Sequence, residues 1–94
     1  MKFEWDDEKN ISNQMKHDGI SFEIAVRVFL DQKRIERYDE EHSSFEEDRW
    51  NVIGLVEKVL FVVYTERKDS IRIISARRAT KEETEEYYRD YDIR

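Results

Sequence analysis

Eight side chains have types suited to chemistry on an anionic group, and seven of them lie between residues 49 and 78. Arg49, Arg67, Arg77 and Arg78 carry guanidinium forks that stay charged and match phosphate oxygens two at a time. Arg67 and Arg77 lead as the pair that would hold negative charge, with Arg49 and Arg78 behind them. His42 titrates at about 6.5 when unperturbed, which suits proton transfer near neutrality. Glu66 would serve only if burial raised its pKa, and neighbouring arginines would lower it. Tyr64 and Trp50 offer flat faces on which a nucleobase could stack.

Each of these residues also has a plainer reading. Arg67 and Glu66 are equally hairpin-end charges, and Arg77 and Arg78 could pair with Glu82 and Glu83. His42 sits in an acidic loop, where a solvated histidine is ordinary, and Trp50 and Tyr64 suit a core. In an antiparallel hairpin Arg67 lies near the turn and Arg77 near the open end. They meet on one anion only if the sheet twists strongly or a third strand brings charge between them. Arg77 and Arg78 are adjacent on a strand and so point to opposite faces.

The element that positions most of these residues is the stretch 59–78. Val59 to Tyr64 is an almost unbroken apolar run, as in a strand buried on both faces. Lys68, Asp69 and Ser70 supply turn chemistry. Ile71, Ile73 and Ser75 then share one face of a second strand, and Arg72, Ile74 and Ala76 the other. Upstream, Lys33–Tyr38 alternates as a half-exposed strand, and Arg49–Val56 reads as another, turned at Glu57 and Lys58. Between them runs an acidic loop, Asp39–Asp48. Lys2–Trp5 reads as an edge strand or an extended arm.

Three helices complete the pattern. Asp6 caps the first, which carries Ile11 and Met15 on one face and stops by Gly19. Ser21 caps a second over Phe22–Leu30, with Phe22, Ala25, Val26 and Phe29 as its buried stripe and Val28 and Leu30 adding to it. Thr80 and Glu83 form a capping box for the last, on which Thr84, Tyr87, Tyr88 and Tyr91 share a face. The expected fold is α+β: two N-terminal helices, a four-stranded antiparallel meander and a C-terminal helix, in a single domain over residues 1–94.

Composition narrows the function classes. With 94 residues and 43% charged but 13% aromatic side chains, one folded domain with a modest core is expected. No cysteine is present, which removes disulfides and thiolate metal sites, and two histidines with scattered carboxylates give no metal-ligand spacing. No apolar run reaches membrane-spanning length, so a cytoplasmic protein without a membrane partner is expected. The net charge is −6, yet residues 49–79 hold seven Lys or Arg against three Asp or Glu. A phosphate-binding face inside an acidic exterior fits that distribution.

Three stretches resemble the BrnT family of toxins from type II toxin–antitoxin systems. The first, FEWDDEKNISNQMKHDGISFEIAVRVF, matches the family pattern at Trp5, Asp6, Lys9, Asn13, Lys16, His17, Gly19, Ser21 and Phe22. The second matches at Asp39, His42, Ser43, Glu47, Arg49, Trp50 and Gly54, and the third is LFVVYTER followed by RIISARRAT. The resemblance implies a RelE-like ribonuclease fold, toxic by cutting RNA without a metal or other cofactor. It also implies a cognate BrnA-type antitoxin that binds DNA, represses the shared operon and joins the toxin in a heterotetramer. DNA would be reached only through that antitoxin. The acidic loop and the first helix would attract a basic antitoxin segment. On this reading Arg67, Arg77, Glu66, His42 and Arg49 are the catalytic candidates, and Arg78, Tyr64 and Trp50 the RNA-binding ones. The competing reading is a catalytically weak toxin-fold protein that mainly binds its antitoxin and acts as operon co-repressor.

Overall fold

Five strands, β1 (Lys2–Glu4), β2 (Ile35–Tyr38), β3 (Trp50–Val56), β4 (Lys58–Arg67) and β5 (Ser70–Arg78), form one sheet in the order β1-β5-β4-β3-β2. The computed structural model describes residues 1–89. Three helices accompany the sheet: α1 (Asp7–Lys16), α2 (Phe22–Ala25), which runs on as a 3-10 turn over Val26–Leu30, and α3 (Lys81–Arg89). Strands β2 to β5 are the expected antiparallel meander. The sheet is mixed and five-stranded rather than four-stranded, because Lys2–Glu4 pairs parallel to β5 over Ser70–Arg72. Its three residues are too few to announce a direction of pairing in sequence.

The central strand is β4, and its run from Val59 to Thr65 is buried throughout. One sheet face packs Val52, Leu60, Val62, Tyr64, Ile71, Ile73 and Ala76 under Phe22, Ala25 and Val28. We call it the α2 face. Gly54 lies on it, where an added Cβ would stand 3.0 Å from the Cβ of Val28, so the 3-10 turn can approach only because residue 54 has no side chain. The other face, the α3 face, gathers Ile53, Val59, Phe61 and Val63 around Tyr87. No helix among the described residues is long and apolar enough to cross a membrane.

The three helix caps form as their residues dictate. Asp6 accepts from the amide of Lys9 at 3.1 Å, Ser21 from that of Ile24 at 3.1 Å, and Thr80 and Glu83 exchange two bonds in a capping box. Tyr91, assigned by its spacing to the last helix, lies outside the described residues. The second helix departs from expectation: it is α-helical for four residues only, and Leu30 is 80% exposed.

Helix α1 departs further. Ile11 and Met15, which its apolar spacing would bury, are 60% and 83% exposed. Its buried residues are Asn10 and Asn13. The Asn13 amide accepts from Ala76 N–H at 3.1 Å and donates to Ala76 C=O at 2.8 Å and Ile20 C=O at 2.9 Å. It thus makes to β5 the two bonds that a neighbouring strand would make, on the stretch of edge that β1 does not reach. Asn10 accepts from Phe22 N–H at 2.8 Å, which fixes the start of α2.

One irregularity sets which side chains share a face. Val63 pairs with Ser75 but Tyr64 pairs with Ile73, so β5 bulges by one residue at Ile74. The expected strict alternation fails there. Ala76 joins Ile71 and Ile73 on the α2 face, while Ser75 and Arg77 join Arg72 on the α3 face. Because Asn13 satisfies three buried groups, Asn13→Ala should cost about 3 kcal/mol of stability in urea unfolding, with an unchanged m-value. A loss under about 0.5 kcal/mol would show that water replaces the amide.

Candidate functional site

Helix α3 covers only part of its sheet face, the part around Phe61 and Ile53. Toward the β4–β5 turn the face is not covered by α3, and strand alternation brings Arg49, Thr65, Arg67 and Arg72 to it. Arg49 donates through Nε to one oxygen of Glu47 at 2.9 Å, and Arg67 donates through Nη2 to the other at 3.3 Å. One carboxylate therefore holds two guanidinium groups. Its pKa lies below the ordinary carboxylate value, chiefly through the hydrogen bond from Arg49, with the charges of Arg49, Arg67 and Lys9 acting in the same sense. Glu66, Trp50 and Thr65 line the same shallow groove beside Arg67.

The loop 39–48 places Glu47. Its residues are hydrogen-bonded to the sheet rather than merely solvated. Ser43 Oγ accepts from Arg49 N–H at 2.8 Å and donates to Asp39 C=O at 2.7 Å, and Thr65 Oγ1 donates to Asp48 C=O at 2.7 Å. Asp39, 5% exposed, takes the backbone N–H of His42 at 3.0 Å on one oxygen and lies 2.8 Å from His42 Nδ1 with the other. Burial pushes the Asp39 carboxyl up, but hydrogen bonds from Asn51 and from both groups of His42 outweigh it and leave it below its ordinary value. The imidazole is held at Nδ1, so Nε2 is the atom left for chemistry. Asn51 Oδ1 is buried without a hydrogen-bond partner among the described residues.

The other candidates are placed elsewhere. Arg77 shares the α3 face with Arg67, but it pairs opposite Phe61 whereas Arg67 pairs with Ser70. Six residues of strand separate the two rows, about 20 Å at ~3.3 Å per residue, so the two arginines cannot clamp one phosphate. Arg77 stacks 4.0 Å over the Phe61 ring and binds both oxygens of Glu83 at 2.8 and 3.1 Å. Arg78 projects to the α2 face beside Asp18 and Ile24. Glu66 pairs opposite Ile71, so its strand position faces away from Arg67, although it lines the groove at that end of the sheet.

Tyr64 and Trp50 pair across β3 and β4 on the α2 face, where both pack with the core. Tyr64 is 4% exposed, its hydroxyl donates to Glu36 at 2.7 Å, and burial followed by that carboxylate raises its pKa well above the ordinary phenol value. It has no free face for a base. Trp50 meets Tyr38 edge-on at 5.4 Å. Three groups of the site were not among the catalytic candidates: Glu47, Asp39 and Asn51. The available signals were spacings, with Asp39 three residues before His42 and Glu47 two before Arg49. Among the described residues no group of three or more His, Asp or Glu side chains is arranged to hold a metal.

Comparison with known proteins gives this arrangement its context. The model for the family described as "Ribonuclease toxin, BrnT, of type II toxin-antitoxin system" matches residues 5–83. The chain belongs to the BrnT family. A crystal structure of the Brucella abortus ribonuclease toxin BrnT superposes with a TM-score of 0.63 at 22% identity, covering 86% of this chain and 99% of that one. That likeness is one of fold. No curated protein sequence matches the chain. The family resemblance in the three sequence stretches is thereby borne out, and the BrnT motif residues Asp39, His42, Ser43, Glu47 and Arg49 are those that build the loop and its two anchored guanidiniums.

A group whose pKa falls on folding stabilises the folded state above its unfolded value and loses that contribution as pH drops through the folded value. Asp39 is such a group. The stability deficit of Asp39→Asn should therefore be full near neutrality and shrink as pH is lowered below about 4, followed by urea unfolding at each pH. A constant deficit would mean that Asp39 contributes through shape alone.

Proposed function

We propose that this BrnT-family chain is a metal-independent endoribonuclease and that its reacting phosphate is bound at Arg49 and Arg67. The observation that carries the reading is the shared carboxylate: Glu47 presents its two oxygens to two guanidiniums, as a phosphate would. His42 Nε2 takes the proton of a ribose 2′-hydroxyl while Asp39 fixes the ring at Nδ1. The 2′ oxygen then bonds to phosphorus, the bond from phosphorus to the 5′ oxygen breaks, and that oxygen takes a proton from solvent. Arg49 and Arg67 hold the extra negative charge on the phosphoryl oxygens after Glu47 swings aside. The products are a 2′,3′-cyclic phosphate and a 5′-hydroxyl end. Growth inhibition through loss of RNA, and neutralisation by a BrnA-type antitoxin in a heterotetramer, complete the proposal.

A second reading is favoured by a specific observation. Arg49, Arg67 and Arg77 are each already paired with a carboxylate, in a chain of net charge −6. On that reading the chain cleaves weakly and acts mainly through its antitoxin at the operon. Growth after induction, with and without the antitoxin, separates the two, since only the first demands toxicity from folded protein alone.

Purified protein incubated with RNA in a chelator should yield fragments with 5′-hydroxyl ends. Arg49→Ala and Arg67→Ala should each lower the cleavage rate on the order of a hundred-fold. His42→Ala should abolish the acidic limb of the pH–rate profile. Unchanged rates in both arginine variants would remove them from the site.

A further inference from the structure

The groove where α1 meets β5 has no role in the site described above. It is lined by Lys9, Ser12, Lys16, His17 and Ser75 among others, with no Asp or Glu, and encloses about 250 Å³. Four other surface grooves are each lined by one or more carboxylates. In a chain with 23 acidic residues, a groove of lysines and hydroxyls without a carboxylate is a departure from its surroundings. Lys9 and Lys16 are exposed, and neither makes an ion pair among the described residues.

Its position follows from the fold. The Asn13 amide seats α1 on Ala76, and the bulge at Ile74 turns Ser75 and Arg77 to the α3 face. At about 100° per residue, Lys9, Ser12 and Lys16 fall within about 60° of one another around the helix, and Ile11 lies on the far side. Seven residues of helix set the two lysines about 10 Å apart along its axis. Ser75, which lines the groove, pairs opposite Val63 on the α3 face, in a row between those of Arg67 and Arg77, and the charge of Lys9 helps to lower the pKa of Glu47.

We infer that the α1 groove joins these two arginine positions into one track for single-stranded RNA several nucleotides long. Backbone phosphates lie along Lys9 and Lys16, between the reacting phosphate at Arg49 and Arg67 and a distal contact at Arg77. Lysine suits this use because its ammonium is a mobile point charge that meets backbone phosphates without demanding one geometry. The separation of about 20 Å between Arg67 and Arg77, which rules out one shared phosphate, is the length that several nucleotides require. The inference rests on the ribonuclease reading and adds the extent of its substrate.

The test uses labelled 2′-O-methyl oligonucleotides of about ten and about three residues, which lack the nucleophilic hydroxyl, with binding followed by fluorescence anisotropy across a salt series. Wild type should bind the longer one more tightly. The double variant Lys9→Gln/Lys16→Gln should lose on the order of ten-fold for the long oligonucleotide, and its salt slope should fall by about 1.4, the value for two phosphate contacts on a single strand. Arg27→Gln/Lys58→Gln removes the same charge beside the α2 layer, away from the track, and should leave both quantities unchanged. Equal losses in the two double variants, or no loss in either, would overturn the track and leave the ribonuclease reading to its own cleavage assay. Absence of binding by wild type also overturns the track, and absence of cleavage as well removes the reading beneath it.

Discussion

Strand β5 carries one residue more than the length of β4 opposite it, and most of the molecule depends on how that residue is absorbed. The bulge at Ile74 lets Ile71, Ile73 and Ala76 all face the α2 core, which strict alternation forbids. The same shift sends Ser75 and Arg77 to the side that Arg72 and Arg67 occupy. Hydrophobic burial and cation placement are therefore one constraint. At Ala76 the exposed edge of the strand meets a side-chain amide that supplies both a donor and an acceptor. A helix can then lie against the strand without leaving buried backbone groups unpaired. An apolar residue at position 13 would bury surface but would leave those groups unpaired.

Pairing between Arg49, Arg67 and Glu47 bears on whether such a site can accept an anion. The pairs are part-exposed, with side-chain exposures of 29%, 48% and 30%. Pairs of this kind are worth roughly 0–1 kcal/mol, because water competes with each partner. A phosphate that displaces Glu47 gives up little and gains two charge-assisted contacts in return. Arg77 differs. Its guanidinium lies against Phe61 and grips both oxygens of Glu83, a carboxylate that also accepts from Thr80 N–H at the start of α3. Burial raises the Glu83 pKa, but the hydrogen bonds from Arg77 and Thr80 overcome it, so the pair is tied to the helix cap. Arg77 is thus the arginine with the strongest claim to a structural duty as well.

What could be read from the sequence was whatever local chemistry decides. The caps at Asp6, Ser21 and Thr80 and the doubly buried run of β4 depend on neighbours in sequence, and they formed as expected. Three features depend on partners far along the chain and were not legible. Ile11 and Met15 mark an apolar stripe on α1, yet its buried face is chosen by the edge of β5, 63 residues away from Asn13, where hydrogen bonding outweighs apolar contact. The bulge falls at Ile74, where the alternation of Ile71, Arg72 and Ile73 breaks, but two adjacent isoleucines do not by themselves announce an extra residue. Glu66 was grouped with Arg67 by adjacency, and adjacency in a strand means opposite faces. For the site, the residue types and the loop were legible, whereas the shared carboxylate was not, since an acidic run gives no hint of which member is anchored.

On the proposed reading, the acidic exterior and the cationic groove act over different distances, so the two need not conflict. At physiological salt the screening length is about 8 Å, shorter than the distance of about 20 Å between Arg67 and Arg77. A polyanion approaching from afar meets the net charge of −6 and is slowed, whereas one already in the α1 groove meets lysines and hydroxyls with no carboxylate in the lining. Association rate and residence time are then set by different residues. A basic partner experiences the reverse, attracted from a distance by Glu82, Glu85 and Glu86 on α3 and by the loop 39–48. The same charge distribution thus favours rapid capture by a basic protein over rapid capture of RNA, while leaving the contact chemistry for RNA intact.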